Sequence, residues 1–163
     1  MRILGIDPGY AIVGFGIVDY DASRFMTIDY GAVTTMAGDR FSLRLKTVFE
    51  DISQIMDSYK PDVVSMEKIY FQNNQKTAID VAQARGVILL AAAQRGIEVY
   101  EYTPLEVKKA VTGYGQAVKK QVQEMTKRLL NLKEIPKPDD TADALAMTVC
   151  HAHTSISRLN KLR

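Results

Sequence analysis

RILGIDPGYAIVGFGIVDYDASRFMTIDYGAVT, residues 2–34, is the stretch that decides the fold. β-Branched and aromatic residues cluster in Arg2 to Asp7, Ile12 to Asp19 and Phe25 to Thr34, and the turn formers Asp-Pro-Gly and Asp-Ala-Ser separate them. That pattern predicts three strands, and the short connections predict antiparallel neighbours. Downstream, Leu43, Leu45, Val48, Phe49, Ile52, Ile55 and Met56 recur at helical spacing and predict a helix over about 41–59. A buried-type strand follows from Asp62 to Glu67, then an Ala-rich helix from Gln72 to Arg95 that Gly96 ends, then a strand from Ile97 to Tyr102. Further helices are expected from Pro104 to about Thr112, from about Ala117 to Asn131, and from near Asp139 to beyond Ala152. Three strands followed by alternating helices and strands predict one α/β domain over residues 1–163, a mixed sheet with helices on both faces.

Length and composition set bounds around this reading. A chain of 163 residues can bury roughly 68–70% of its unfolded surface, so its core needs no disulfide or structural metal. Cys150 is the single cysteine, which points to a reducing, cytoplasmic setting. The first acid comes at Asp7, too early for a signal peptide, and the longest uncharged apolar run, Gly86 to Ala93, cannot span a bilayer. The expectation is a soluble protein with no membrane partner. The formal net charge of +2 at first opposes a nucleic-acid ligand. It is unevenly spread: 10 basic and 13 acidic residues precede Thr103, whereas 11 basic and 6 acidic residues follow from it, a balance of −3 against +5. Lys108, Lys109, Lys119, Lys120, Lys127 and Arg128 all lie in the basic part.

Carboxylates stand at the positions where α/β folds build sites. Asp7 ends the first strand, Glu67 ends the fourth, and Asp140 and Asp143 open the last helix. Three residues along a helix turn about 60° around its axis, so Asp140 and Asp143 can face one point; Asp139 and Asp143 can as well, and spacing does not choose between them. A single acid at a helix start is also an ordinary N-cap. Convergence of the set changes the energetics, since each pair at about 4 Å costs roughly 4 kcal/mol at an effective dielectric of 20. A divalent cation offsets that repulsion, and an all-oxygen donor set selects hard Mg²⁺ or Mn²⁺ over zinc. His151 is eight residues past Asp143, about 12 Å along the helix, and does not share the ion. Two such ions about 3.5–4 Å apart serve phosphodiester hydrolysis.

At this point an ordered set of motifs resembles the RuvC family of Holliday junction resolvases, in the RNase H-like superfamily. The set runs through Leu4-Gly-Ile-Asp-Pro-Gly9, Glu67 with Ile69-Tyr-Phe71, Gln83-Ala-Arg-Gly86, Tyr102-Thr-Pro104 with Val107-Lys108, Gly113-Tyr-Gly115, Lys120-Gln-Val122 and Pro138-Asp-Asp-Thr-Ala-Asp-Ala-Leu-Ala146. The resemblance implies an RNase H-like mixed five-stranded sheet flanked by helices on both faces. It also implies a homodimer that nicks two strands of like polarity in a four-way DNA junction, leaving 5′-phosphate and 3′-hydroxyl ends in recombination and repair. The family's catalytic, metal-binding carboxylates fall on Asp7, Glu67, Asp140 and Asp143, with Asp7 bridging two Mg²⁺ ions for which Mn²⁺ substitutes; Asp139 is then the capping neighbour. The junction-stacking aromatic falls on Tyr70 with Phe71 beside it, and the DNA-contacting lysines fall on Lys108 and Lys119. The apolar surplus of the Gln72–Arg95 helix suits the dimer contact, and association with RuvAB-type branch-migration proteins is a further implication. The alternative is another RNase H-like nuclease acting on a different nucleic acid.

Overall fold

The computed structural model describes residues 1–21, 23–68 and 75–161, excepting the side chains of 75–76 and 156–161. The strands are β1 (Arg2–Asp7), β2 (Ile12–Asp21), β3 (Arg24–Thr34), β4 (Val63–Glu67) and β5 (Glu98–Tyr102). The helices are α1 (Phe41–Tyr59), α2 (Gln75–Ala93), α3 (Pro104–Thr112), α4 (Lys119–Leu129) and α5 (Asp139–Lys161). The strands form one sheet in the order β3-β2-β1-β4-β5. The pairs β1–β2 and β2–β3 are antiparallel, and β1–β4 and β4–β5 are parallel. This is the expected mixed five-stranded sheet.

Strand alternation sorts the side chains into two cores. Leu4 and Ile6 of β1, Val13 and Ile17 of β2, and Val64 and Met66 of β4 pack with Val48, Ile52 and Met56 of α1 and Ile88, Ala91 and Ala92 of α2. On the opposite face Val18 and Tyr102 pack with Val107, Val111, Val122 and the α5 residues Leu145, Ala146, Met147, Val149 and Cys150. Helices therefore cover both faces. Burial of Cys150 pushes its thiol up to about 12, so it acts as a small apolar filler rather than a nucleophile. No helix among the described residues is long and apolar enough to cross a membrane.

Helix boundaries differ from the sequence reading where side chains compete for the backbone. Ala117 precedes α4 rather than opening it: Val118 is extended, with ψ 158°, and its N–H donates to Gln121 Oε1 at 2.9 Å. Asn131 adopts a left-handed φ of 52° beyond the end of α4, a conformation Asn tolerates at helix C-termini. In β3 the register slips opposite Ile17 and Val18, so that Thr27 and Asp29 pair with consecutive β2 residues. This bulge reverses the side-chain alternation along the edge strand.

Candidate active site

The same alternation that buries Leu4 and Ile6 turns Ile3, Gly5 and Asp7 toward α5. In β4 it turns Ser65 and Glu67 the same way, and the Ser65 hydroxyl donates to the Met147 carbonyl at 2.8 Å. Ile6 pairs with Met66 in the parallel register, so Asp7 and Glu67 end adjacent strands on one face. The remaining acids arrive because α5 lies directly on the strands. Gly14 is the antiparallel partner of Asp7, and a Cβ built on Gly14 would stand 2.0 Å from the Asp140 carbonyl oxygen. A Cβ on Gly5 would stand 2.0 Å from that of Ala144. Close approach of backbone to backbone is what these two positions require of glycine. Thr141, fully buried, pins the first turn of α5 by donating its hydroxyl to the Gly31 carbonyl at 3.0 Å.

The result is an acidic cleft of about 230 Å³, in which Asp7, Glu67, Asp143, Lys108 and Lys119 stand over an apolar wall of Val107, Val122 and Met147. Burial first, then the charges of Asp143, Glu67 and Asp140, push the Asp7 carboxyl up to about 7, against the opposing pull of Lys119. Burial and Asp143 likewise raise Glu67. Asp143 is raised by burial and by Asp139 and Asp140, against a hydrogen bond from Lys119. Lys119 Nζ lies 2.8 Å from Asp143 Oδ2 and 3.3 Å from Asp139 Oδ2. Burial alone would lower the Lys119 pKa, but these two carboxylates together raise it. One ammonium thus offsets part of the mutual repulsion.

The donors are all oxygen, Asp7, Glu67 and Asp143 resist ionising beside one another, and the nearby histidines are engaged elsewhere. His151 Nδ1 bonds the Tyr102 hydroxyl at 2.8 Å and His153 Nδ1 the Ala110 carbonyl at 2.8 Å. That chemistry fits hard divalent cations. Among the described residues no three His, Cys, Asp or Glu groups are drawn together tightly enough to be a ready-made chelate. The acids gather around one cleft without closing on one point, as mutual repulsion and the intervening Lys119 dictate.

All four expected carboxylates are thus brought into electrostatic contact. Lys108, half-buried, lines the cleft as well, as does Lys119, which is exposed and reaches across to Asp143. Asp139 opens α5, and its carboxylate is engaged by Lys119, a role that sequence spacing did not suggest. Tyr70 and Phe71 lie outside the described residues. Two further contributors were missed. The alternating glycines of β1 and β2 that seat α5 were overlooked. So was Thr103-Pro-Leu-Glu106: Thr103 Oγ1 accepts from the Glu106 N–H at 3.1 Å and Glu106 Oε2 from the Thr103 N–H at 2.8 Å. This capping box fixes the start of the helix that carries Lys108, and its Thr-x-x-Glu pattern is visible in the sequence.

A β3-β2-β1-β4-β5 sheet with helices on both faces, and acids from β1, β4 and a C-terminal helix meeting at one edge, defines an α/β nuclease of the RNase H-like class. A Ydc2 structure described as the yeast mitochondrial Holliday junction resolvase shares this fold, with a TM-score of 0.71 at 11% identity over 99% of this chain and 82% of that one. The family model for crossover junction endodeoxyribonuclease RuvC matches residues 3–151, and the chain belongs to that family. The RuvC of Brevibacillus brevis is 59% identical over 152 residues, 93% of this chain and 92% of that protein. That of Clostridioides difficile is 58% identical over 155 residues, 95% of this chain and 92% of that protein. A structure of Thermus thermophilus RuvC in complex with a Holliday junction substrate superposes with a TM-score of 0.92 at 32% identity, covering 97% of this chain and 96% of that one.

Proposed function

We propose that this Holliday junction resolvase uses Asp7, Glu67, Asp140 and Asp143 as its catalytic carboxylates and as the ligands of two Mg²⁺ ions, with Mn²⁺ able to substitute. The observation that carries the assignment is the Asp7 carboxyl, pushed up to about 7 by burial and three neighbouring acids. A cluster so costly to ionise is retained where a cation repays the cost. Bound there, divalent ions would activate a water and stabilise the leaving oxygen during phosphodiester hydrolysis. In this reading Asp7, on the central strand, would help to hold both ions. Lys119 balances Asp143 and Asp139, and with Lys108 it supplies positive charge at the mouth of an otherwise acidic cleft. The apolar wall of Val107, Val122 and Met147 limits water, so charges inside interact more strongly than they would in solution. Water adds to phosphorus as the bond to the 3′ oxygen breaks, leaving 5′-phosphate and 3′-hydroxyl ends.

Paired incision needs two such clefts, and α2 offers the surface for a second copy. Ile79, Gln83, Gly86 and Leu90 are exposed along one side of the helix. A Cβ on Gly86 would meet nothing within 4 Å, so a second helix can approach closely there. In this reading the enzyme is a single-domain protomer of a cytoplasmic homodimer, Tyr70 and Phe71 stack at the branch point, and RuvAB-type proteins deliver the junction.

The test is incubation of a panel of end-labelled four-way junctions with the protein and Mg²⁺ or Mn²⁺, the products being resolved on a denaturing gel. Symmetric nicks in two strands of like polarity, dependent on the metal, are expected. Cleavage of another nucleic acid with intact junctions would favour the alternative RNase H-like nuclease.

A further inference from the structure

Lys108 and Lys119 lie on the β5 side of the carboxylates; a second set of cationic groups lies on the β3 side. The turn that leaves Asp7 runs through Tyr10 and Ala11, and the end of β3 closes against it: Thr35 N–H donates to the Ala11 carbonyl at 3.0 Å. Thr35 Oγ1 donates to the Tyr10 carbonyl at 2.7 Å and accepts from Arg44 Nε at 2.8 Å. The Arg44 guanidinium lies over the Tyr10 ring at 4.7 Å, and Phe41 meets the other side of the cluster edge-on, 5.8 Å from Tyr10 between centroids. Arg44 is therefore held in place by one of its nitrogens and by its face, and its two terminal nitrogens point to no carboxylate among the described residues.

The contrast with other arginines gives this meaning. Arg2 takes Asp19, Arg85 takes Glu101 and Arg95 takes Asp57. Among the described residues Arg40 and Arg44, like Arg24 and Arg128, pair with no acid; of these four, Arg44 is fixed by a side-chain hydrogen bond and a ring, and Arg40, exposed, lies one helical turn before it. A guanidinium oriented in advance with its fork free is suited to bidentate phosphate contact, because little side-chain freedom remains to be lost. Its location agrees. β3 lies two strands from β1, roughly 10 Å at about 4.8 Å per strand, and both end at the same edge of the sheet. A DNA strand held at the carboxylates and leaving across the ends of β2 and β3 would run toward Arg40 and Arg44, which follow β3 at the start of α1.

We propose that Arg40 and Arg44, with Arg44 braced by Thr35 and Tyr10, form a second DNA-phosphate contact that holds the substrate on the β3 flank of the cleft, opposite Lys108 and Lys119. The inference rests on the reading of this chain as a junction-binding nuclease and adds a contact which that reading does not contain.

The experiment measures junction affinity by fluorescence anisotropy between 50 and 200 mM salt for the wild type, Arg40→Ala, Arg40→Ala/Arg44→Ala, Arg44→Lys and Lys108→Ala. Each lost phosphate contact lowers the slope of log affinity against log salt by about 0.9. Arg40→Ala should lose about 0.9 and the double variant about 1.8. Over that salt range the wild type should then weaken roughly 12-fold more than the double variant. Arg44→Lys should keep most of the slope, because its charge survives. Among the described residues Arg40 makes no side-chain bond, so its variant still decides the matter if the double variant folds poorly. A wild-type slope in Arg40→Ala and in the folded double variant, while Lys108→Ala loses about 1, would overturn the proposal and leave junction binding standing. Failure of the wild type itself to bind any junction would overturn the junction reading instead.

Discussion

Replacing Asp7 with Asn is expected to abolish junction cleavage, leave the junction bound, and make the metal-free protein more stable. The first two effects follow from the contacts: Asp7 shares the cleft with Lys108 but among the described residues bonds none of Lys108, Arg40 and Arg44, so the change would remove a cation ligand and leave those basic groups in place. The third follows from linkage. Asp7 titrates at about 7 in the folded protein against 3.8 for a free side chain. At 1.36 kcal/mol per pH unit, its charged form carries on the order of 4 kcal/mol of unfavourable interaction. Between those two values the folded state holds a proton that the unfolded state has released, so this group's contribution makes metal-free stability fall as pH rises from about 4 to about 7 and stay level above. Asn keeps the shape without the charge. At pH 8 in chelator its Tm should therefore rise, on the order of 10 °C, and the fall in stability with pH should be shallower. A Tm below that of the wild type would mean that the Asp7 charge holds the fold together rather than straining it.

Gly14→Ala is expected to lose cleavage too, but with a loss of stability instead of a gain. The added carbon would begin 2.0 Å from the Asp140 carbonyl, and an ordinary contact needs at least 3.4 Å. Either β2 or the first turn of α5 must therefore retreat by about 1.4 Å. Overpacking of this kind costs about 1–3 kcal/mol. The displaced turn carries Asp140 and precedes Asp143 by less than one helical turn, so the acid set spreads away from Asp7. A misplacement of about 1 Å at a reacting centre can cost 10²-fold in rate, and cleavage should fall by at least that order. Thermal melts and single-turnover cleavage check both parts. Unchanged cleavage in a folded Gly14→Ala protein would show that close seating of α5 is not what aligns the acids.

These two variants mark the boundary of what the chain reveals by itself. Asp7 and Glu67 were legible because strand alternation and a following turn are local features, and both acids fall where a strand ends. The α1 and α3 boundaries were legible for the same reason, through apolar spacing in one and Thr103-Pro104 in the other. The choice between Asp139 and Asp140 was not. Both lie within one helical turn of Asp143, and what separates them is how α5 sits on Gly5 and Gly14, more than 120 residues away in sequence. Family resemblance supplied that choice in advance of any geometry. The role of Lys119 was only half legible. Family resemblance assigned it to DNA contact, but its pairing with Asp139 and Asp143 comes from the packing of α4 on α5 and was not legible. The β3 bulge was invisible, since Thr27-Ile28-Asp29 alternates no differently from its neighbours. The free arginines at the start of α1 were equally hidden: an unpaired Arg is defined by the acids it does not meet, and those are known only after folding.

Four acids from three separate elements are expected to form one divalent-cation site. A titration of the protein with Mn²⁺ tests this, free ion being followed by electron paramagnetic resonance, in wild type and Asp7→Asn side by side. About two ions should bind per wild-type chain, with proton release, and most of that binding should be lost in the Asp7→Asn protein. Retention of wild-type Mn²⁺ binding in Asp7→Asn, or its absence in the wild type at millimolar Mn²⁺, would contradict it.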